Sequence, residues 1–332
     1  MRDVAARAQV SFKTVSRVVN DEGGVSPALE RRVRLAIDEL DFRPNAGARI
    51  LRRADRGTAT IGLLLEDVAN PYSAALARAV EDVAMARGVL VLCASLDEDP
   101  VRERALARMF GSRDVDGLIL APAGDDQSHL AAELRTGTAI VCVDREARRL
   151  PVDSVVTTNT AGASDAVKHL AAAGHRRIAY VGDRITIATA GQRYAGYQEA
   201  HVALGMPVDD ALVVHGVRDP AVADGAIMTL LSRPNPPTAV FTAQNLVTVG
   251  AVRALRRLGL ERHVALVGFD DVLLADLLDP GVTVVAQDPV AIGRIAAGLL
   301  FDRIAGSDRA PEVLLVPTTL VRRGSGEIAP RA

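Results

Sequence analysis

The sequence predicts an α/β fold, in which two lobes, each built on a doubly wound parallel sheet, follow a small all-α segment. Two periodicities indicate this division. Up to about residue 53 the apolar residues recur at helical spacing, whereas from Ala59 onward short apolar runs alternate with helical stretches. The apolar runs are rich in valine, isoleucine and leucine, which is typical of parallel strands that helices cover on both faces.

The strand candidates are too numerous for one ordinary sheet. They are residues 60–65, 89–94, 117–121, 139–143, 154–157, 178–182, 212–215, 239–242, 264–268 and 282–286, with a further extended piece at 313–321. Two lobes of similar size, with the chain crossing between them more than once, account for this number. Because α/β sheets bind ligands at the carboxyl ends of their strands, we expect a ligand cleft between the lobes.

The composition excludes several classes of protein. The chain has 332 residues, of which 49% are hydrophobic and 24% charged, a balance typical of soluble multi-domain proteins. Cys93 and Cys142 lie in apolar runs, so we expect buried core residues rather than a disulfide or a metal site. No nucleotide-binding or serine-hydrolase motif occurs and the histidines are scattered, so we expect no enzyme activity, no cofactor and no metal. The chain also lacks a signal peptide and any long apolar run, which predicts a cytoplasmic protein.

Charge is distributed unevenly along the chain. Residues 1–56 hold 12 Lys or Arg against 8 Asp or Glu, a net charge of +4, whereas the remainder has a net charge of −6. This asymmetry predicts a basic end that contacts a polyanion and an acidic body that does not.

The basic end carries the pattern of three short helices, predicted over residues 3–8, over residues 12–20 and from Pro27 onward. A tight turn between the first two predicts a helix-turn-helix, in which the second helix enters the major groove of DNA. The alternative is a small helical cap or dimerisation element with a solvated basic face.

The second and third helices are predicted to be amphipathic. The second has Val15, Val18 and Val19 on one face and Phe12, Lys13, Ser16 and Arg17 on the other. The third is expected to bury Leu29, Val33, Ile37 and Leu40, while Arg31, Arg32 and Arg34 face outward. One face of each helix is therefore expected to pack and the other to remain free for contact.

These segments resemble the LacI/GalR family of bacterial transcription regulators. The resemblance rests on DVAARAQVSFKTVSRVVN at residues 3–20, on VSP at residues 25–27 and on FRPNA at residues 42–46. The TVSRV core at residues 14–18 is its most specific part, and the likeness extends over essentially the whole chain.

The resemblance implies DNA contacts position by position. Phe12, Lys13 and Arg17 match positions that touch base edges. Positions that steady the helix on phosphates or nearby bases are matched by Ser11, Thr14, Ser16 and Asn20. Residues 45–53 match the family's hinge helix and supply Asn45, as well as Leu51 at the place of a leucine that wedges into the minor groove. An ordinary basic linker is the alternative for this segment.

Two positions of the basic end depart from the family. Gln9 stands where the helix-helix turn usually has glycine, and a residue with a side chain held at positive φ costs about 1 kcal/mol. Gly47 replaces a larger apolar hinge residue, which weakens helix propensity by about 1 kcal/mol.

The rest of the chain resembles the family's effector sensor, whose fold is shared with periplasmic sugar-binding proteins. The matching segments are 61–65 with 67 and 70–72, 174–182, 193–197 and 267–271. The resemblance implies that effector-binding residues line the interlobe cleft, with Tyr72 as a stacking face and Asp144, Asn159, Arg193 and Asn245 as hydrogen-bonding groups. Forked and two-sided groups of this kind suit the paired hydroxyls of sugars.

Two sensor positions bear on effector specificity. Asn245 occupies a position that is usually aspartate in the family. Arg218 lies in a loop where the family often places an aromatic residue, and a basic residue there leaves a phosphorylated or acidic effector open as an alternative.

The predicted domains are a helix-turn-helix headpiece at 1–44, a hinge at 45–57 and an effector-binding sensor at 58–332. The sensor is expected to divide into an N-lobe of about 58–157 and 287–317 and a C-lobe of about 158–286 and 318–332.

We therefore expect a repressor that binds a pseudo-palindromic operator in double-stranded DNA and responds to a small, carbohydrate-like effector. It is expected to act as a homodimer, or a dimer of dimers, joined through the sensor lobes, with no membrane partner. The alternatives are a ligand-binding protein of the periplasmic type and a doubly wound enzyme. The attached headpiece disfavours the first, and the missing motifs disfavour the second.

Overall fold

The computed structural model describes residues 1–19, 23–40 and 57–330, and these residues form two compact units. Met1–Ala59 make up the first unit and Thr60–Ala332 the second. Each unit has its own hydrophobic core. Within the described ranges no helix is both long enough and apolar enough to cross a membrane.

The first unit contains three helices around one small core. Ser26 caps the third helix by accepting a hydrogen bond from the backbone N–H of Leu29 at 3.5 Å. Pro27 occupies the first helical position, where its missing N–H leaves no bond unmade. The helices are α1 (Arg2–Arg7), α2 (Phe12–Val19) and α3 (Pro27–Glu39). Their core consists of Val4, Ala5, Ala8, Val15, Val18, Val33 and Ala36.

The buried face of α3 differs from the prediction at one end. Val33 and Ala36 are buried, and Leu29 and Ile37 are half-buried. The prediction that Leu40 is buried is wrong, because 44% of its surface is exposed. The helix ends before this residue, and Ala36 occupies the last inward position instead.

The turn between α1 and α2 is held by a residue from α3. Gln9 adopts a φ of 49°, the left-handed conformation that favours glycine. Arg32 donates from Nη2 to the carbonyl oxygen of Ala8 at 2.5 Å. Arg32 is exposed, as predicted, but its guanidinium reaches back to carbonyl groups that the tight turn leaves without helical partners.

The first sheet of the second unit has six strands, all paired in parallel. Its order is β11-β5-β4-β3-β1-β2. The strands are β1 (Thr60–Leu65), β2 (Leu90–Ser95), β3 (Gly117–Leu120), β4 (Ala139–Val143), β5 (Asp153–Thr157) and β11 (Val313–Val316). Helices α4 (Pro71–Met85) and α11 (Pro289–Ile304) pack on one face, and α5 (Pro100–Gly111) and α6 (Ala131–Arg135) on the other.

The second sheet also has six strands, in the order β12-β10-β9-β8-β6-β7. The strands are β6 (Ile178–Val181), β7 (Val213–Val214), β8 (Ala239–Thr242), β9 (Ala265–Phe269), β10 (Thr283–Ala286) and β12 (Thr319–Val321). Helices α7 (Asn159–Ala172) and α8 (Ala188–Ala203) cover one face, and α9 (Pro220–Leu231) and α10 (Asn245–Leu258) the other. The doubly wound fold predicted from the apolar runs is confirmed.

The extended piece predicted at 313–321 is two strands rather than one. β11 lies at the edge of the first sheet, and β12 pairs antiparallel to β10 at the edge of the second. Pro317 separates them and donates no backbone hydrogen bond, so the strand breaks where the chain changes sheets. The chain also crosses between the sheets from β5 to α7 and from β10 to α11.

One predicted core residue lies at the surface. Cys142 on β4 is buried, but Cys93 on β2 is exposed. The apolar run at β2 suggested a strand covered on both faces, whereas β2 is an edge strand on which Leu90 is 70% exposed.

We predict that Gln9→Gly stabilises the first unit. Relief of the positive φ favours the folded state, and greater freedom of the unfolded chain offsets part of the gain, so we expect an increase of about 0.5–1 kcal/mol in unfolding free energy. Native-state hydrogen exchange of the α1 and α2 amides in the full chain measures this quantity. Ala6→Gly, at an exposed position in the last turn of α1, is the control and should lose up to about 1 kcal/mol. A loss of unfolding free energy in both variants would contradict the proposal that the backbone is strained at Gln9.

Candidate functional site

The exposed face of α2 is the first candidate site. Ser11 begins the helix by accepting a hydrogen bond from the backbone N–H of Thr14 at 3.1 Å, and the two hydroxyl oxygens lie 2.9 Å apart. Val15 and Val18 anchor the opposite face in the core. The predicted residues Ser11, Phe12, Lys13, Thr14, Ser16 and Arg17 are thereby brought onto one helix and its cap. Predicted residues Asn20, Asn45 and Leu51 lie outside the described residues.

The side chains on this face suit contact with DNA. Phe12 is 49% exposed although it is aromatic, and Lys13 beside it is also exposed. Within the described part of the chain, neither Lys13 nor Arg17 forms an ion pair. Their cationic groups are able to donate to guanine O6 and N7, and an exposed aromatic ring packs on a thymine methyl group.

The second candidate site is a cleft between the two sheets of the second unit. Strands from both sheets end at this cleft, and the first polar residues after those ends form its walls. The polar and charged lining residues include Glu66, Asn70, Tyr72, Glu98, Asp144, Arg145, Asp183, Arg193, Gln244, Asp270 and Gln287.

Tyr72 and Asp144, both predicted from the sequence, line the first-sheet side of the cleft. The Tyr72 hydroxyl is buried and has no hydrogen-bond partner among the described residues, and burial raises the pKa of this phenol. Asp144 follows β4 with a φ of 65°, and burial raises the pKa of its carboxyl more than Arg145 and Arg193 lower it. Both side chains therefore offer unused hydrogen-bonding capacity to a ligand.

Arg193 lines the opposite side and is held rigidly. Its Nε donates to Asn159 Oδ1 at 2.8 Å, and its Nη1 donates to the Ala243 carbonyl oxygen at 2.9 Å. The guanidinium lies 3.9 Å from the centre of the Phe269 ring. Asn159 was predicted to bind the effector, but it does not line the cleft. It lies behind Arg193 and orients the guanidinium through this hydrogen bond.

Asn245 makes a contact between the lobes rather than lining the cleft. Its Nδ2 donates to Asn70 Oδ1 at 2.8 Å, and the reverse bond measures 3.5 Å. Asn70 precedes α4 in the first-sheet lobe and caps that helix through the backbone N–H of Tyr72. The two amides therefore join the lobes beside the cleft.

Most of the charged groups that line the cleft are not among the predicted site residues. Arg145 donates to Glu98 through both terminal nitrogens, and its Nε lies 3.3 Å from Asp144 Oδ2. Arg218 lies 2.9 Å from Glu66 and 3.2 Å from Asp183. A signal was present, because a polar residue lies one or two positions after the carboxyl ends of β1, β4, β6, β8, β9 and β10.

Arg218 does not offer a free positive charge to an effector. Glu66 belongs to the first-sheet lobe, whereas Arg218 and Asp183 belong to the second-sheet lobe, so the guanidinium bridges the lobes between two carboxylates. This pairing disfavours the acidic or phosphorylated effector that the sequence left open. In the described ranges no group of three or more His, Cys, Asp or Glu residues is placed to hold a metal ion.

Both units of the chain match known protein families. Residues 1–45 match the family model for bacterial regulatory proteins of the lacI family, and residues 167–326 match that for a periplasmic binding protein-like domain. The transcriptional regulator GalR of Salmonella typhimurium is 33% identical over 328 residues, covering 98% of this chain and 95% of GalR.

Two solved structures extend the comparison. A complex of the transcriptional regulator CelR with cellobiose has a TM-score of 0.71 at 33% identity and covers 97% of this chain and 98% of CelR. The lac repressor dimer bound to operator and the anti-inducer ONPF has a TM-score of 0.84 at 25% identity and covers 98% of both chains. The chain therefore belongs to the LacI family, as its headpiece motif predicted, and is a DNA-binding transcriptional regulator rather than an enzyme.

Proposed function

We propose that this regulator represses transcription by binding a pseudo-palindromic operator as a homodimer, under the control of a sugar or sugar derivative in the interlobe cleft. The observation that carries the proposal is the presence, in one chain, of an exposed Phe12–Lys13–Arg17 face and a cleft lined by unpartnered polar atoms. We assign DNA reading to residues 1–44, the hinge to 45–57 and effector binding to 58–332. The operator-bound dimer of the lac repressor and the cellobiose complex of CelR support this assignment.

The polar atoms of the cleft favour a hydroxyl-rich effector. Tyr72 Oη, Gln244 Oε1 and Gln287 Oε1 are buried and have no hydrogen-bond partner among the described residues. A buried polar atom without a partner is unfavourable by about 1–3 kcal/mol, so a ligand that satisfies several of them gains affinity. Sugar hydroxyls both donate and accept, and they therefore suit this mixture of groups.

The second unit presents an apolar edge that a second copy would cover. β2 ends the first sheet, and within the described chain its outer edge has no strand partner. Leu90 on this strand is 70% exposed, and Met85 at the end of α4 is 67% exposed. In the second-sheet lobe, Leu273 and Leu277 form a separate exposed apolar group in the loop after β9, where they are 84% and 74% exposed. Unpaired strand edges and exposed apolar patches favour association, and two-fold symmetry is its commonest form.

We predict that Arg17→Ala weakens operator binding by about 1–3 kcal/mol and relaxes sequence preference at one position of each half-site. The operator is first selected by the full chain from a random duplex pool at fixed salt, and affinity is then measured by fluorescence anisotropy. Arg253→Ala, an exposed arginine on α10, is the control and should bind as the parent does. Recovery of a motif without inverted symmetry would contradict a two-fold dimer on DNA.

We predict that Leu90→Lys converts the dimer to monomer, because the substitution places a charge in the proposed apolar interface. Sedimentation equilibrium of the full chain measures the change. Val202→Lys, at a 79% exposed position of α8, is the matched control and should remain dimeric. A dimer that survives Leu90→Lys would place the interface elsewhere.

We predict that Tyr72→Phe leaves the stability of the ligand-free protein unchanged or slightly higher, because the hydroxyl has no protein partner to lose. The same variant should bind a sugar effector about 1 kcal/mol more weakly. Tyr197→Phe is the control, because its buried hydroxyl donates to the Ile178 carbonyl oxygen at 2.8 Å, and it should lose about 1–2 kcal/mol of stability.

Urea unfolding and titration calorimetry give the two quantities. Equal destabilisation by both variants would mean that the Tyr72 hydroxyl is satisfied within the protein.

A further inference from the structure

We propose that the effector of the cleft carries a positively charged amino group that Asp144 binds, and that phosphorylated ligands are rejected. This inference rests on the proposed function of the cleft as the effector site and names the chemical class of its ligand.

The charged groups around the cleft do not balance. Five carboxylates line it, those of Glu66, Glu98, Asp144, Asp183 and Asp270. Four guanidinium groups lie within 4 Å of these carboxylates, those of Arg145, Arg184, Arg193 and Arg218. With all groups ionised, one negative charge remains in surplus, where little water screens it. A ligand phosphate is repelled by this surplus, and a ligand ammonium group is attracted.

Asp144 is the carboxylate that the protein leaves least satisfied. Arg145 Nε lies 3.3 Å from its Oδ2, but this nitrogen makes no hydrogen bond, and Arg145 commits its terminal nitrogens to Glu98 and the Pro122 carbonyl oxygen. No hydrogen bond from the described residues reaches the Asp144 carboxylate itself. Burial raises the pKa of Asp144, as it does for Glu66 and Asp183, so the hydrogen-bond geometry is what sets Asp144 apart.

Asp270 occupies the corresponding place in the other lobe but, unlike Asp144, has hydrogen-bond partners within the protein. It follows β9, as Asp144 follows β4, and its φ of 68° is close to the 65° of Asp144. Yet it accepts a hydrogen bond from Gln287 Nε2 at 2.6 Å and lies 3.5 Å from Arg193 Nη1. The second lobe thus satisfies its strand-end carboxylate internally, whereas the first lobe directs its own toward the ligand.

The Tyr72 hydroxyl is a second observation that points to a ligand. It is buried in the same wall with no hydrogen-bond partner in the described chain, and Asp144 and Asp270 both contribute to the raised pKa of its phenol. An ammonium group has three donors and no acceptor, so it is able to donate to the Asp144 carboxylate and to a phenolic oxygen together.

The first test uses the ligand-free full chain. Asp144→Asn keeps a residue that tolerates positive φ and removes the unsatisfied charge, so we expect its melting temperature to rise by about 2 °C or more. Asp270→Asn makes the same change at a satisfied carboxylate and should lower the melting temperature. A fall for Asp144→Asn comparable with that for Asp270→Asn would overturn the proposal.

The second test is titration calorimetry with matched triples, each a neutral hexose, its amino-hexose and its hexose phosphate. We expect an amino-hexose to bind at least tenfold more tightly than its neutral parent, and no phosphate to bind. Asp144→Asn should abolish the preference for the amine over its neutral parent. If the neutral hexose or the hexose phosphate binds most tightly, the proposal of a positively charged effector is overturned and the proposed carbohydrate effector stands. If none of the three ligands of any triple binds, both proposals are overturned.

Discussion

The structure of the cleft depends on one constraint, which is that carboxylates removed from water need positively charged partners. In both sheets the chain leaves a strand at its carboxyl end and places acidic side chains there, and a buried carboxylate is strongly unfavourable without a partner. Arg145, Arg193 and Arg218 supply the positive charge, each lying within 3.5 Å of a carboxylate. The walls of the cleft are therefore fixed by ion pairs as much as by the apolar cores beneath them.

The same constraint couples the lobes. Arg218 joins Glu66 of one lobe to Asp183 of the other, and the Asn70–Asn245 pair forms a second connection nearby. Bonds of this kind exist only when the lobes are close, so they bias the balance between open and closed arrangements. An effector shifts that balance only by its difference in affinity for the two arrangements, and DNA must change effector affinity by the same factor.

Sequence patterns predicted the fold and the helices of the headpiece more completely than the residues that line the cleft. Continuous apolar runs predict buried strands well, but they misplaced Cys93, because an edge strand can be as apolar as a central one. Arg32 is exposed as predicted, but helical spacing does not reveal that its guanidinium donates to a carbonyl group in the turn between α1 and α2. Tyr72, Asp144 and Arg193 line the cleft, as predicted. Arg145 forms an ion pair with Glu98, which is 47 residues away in the sequence. No local pattern encodes such a pairing.

Asn245 stands where the family usually has aspartate, and this difference changes what the residue can bond to. An aspartate at this position could only accept hydrogen bonds, whereas an asparagine donates and accepts, and it pairs reciprocally with another amide at Asn70. The pair is satisfied without charge and without a ligand, so this corner of the cleft stabilises closure. Under the proposed function, recognition falls to groups that the protein leaves unsatisfied, among them the Tyr72 hydroxyl and the Asp144 carboxylate. Because both lie in the first-sheet lobe while Arg193 lies in the other, a ligand that contacts all three bonds to both lobes, and its binding favours the closed arrangement.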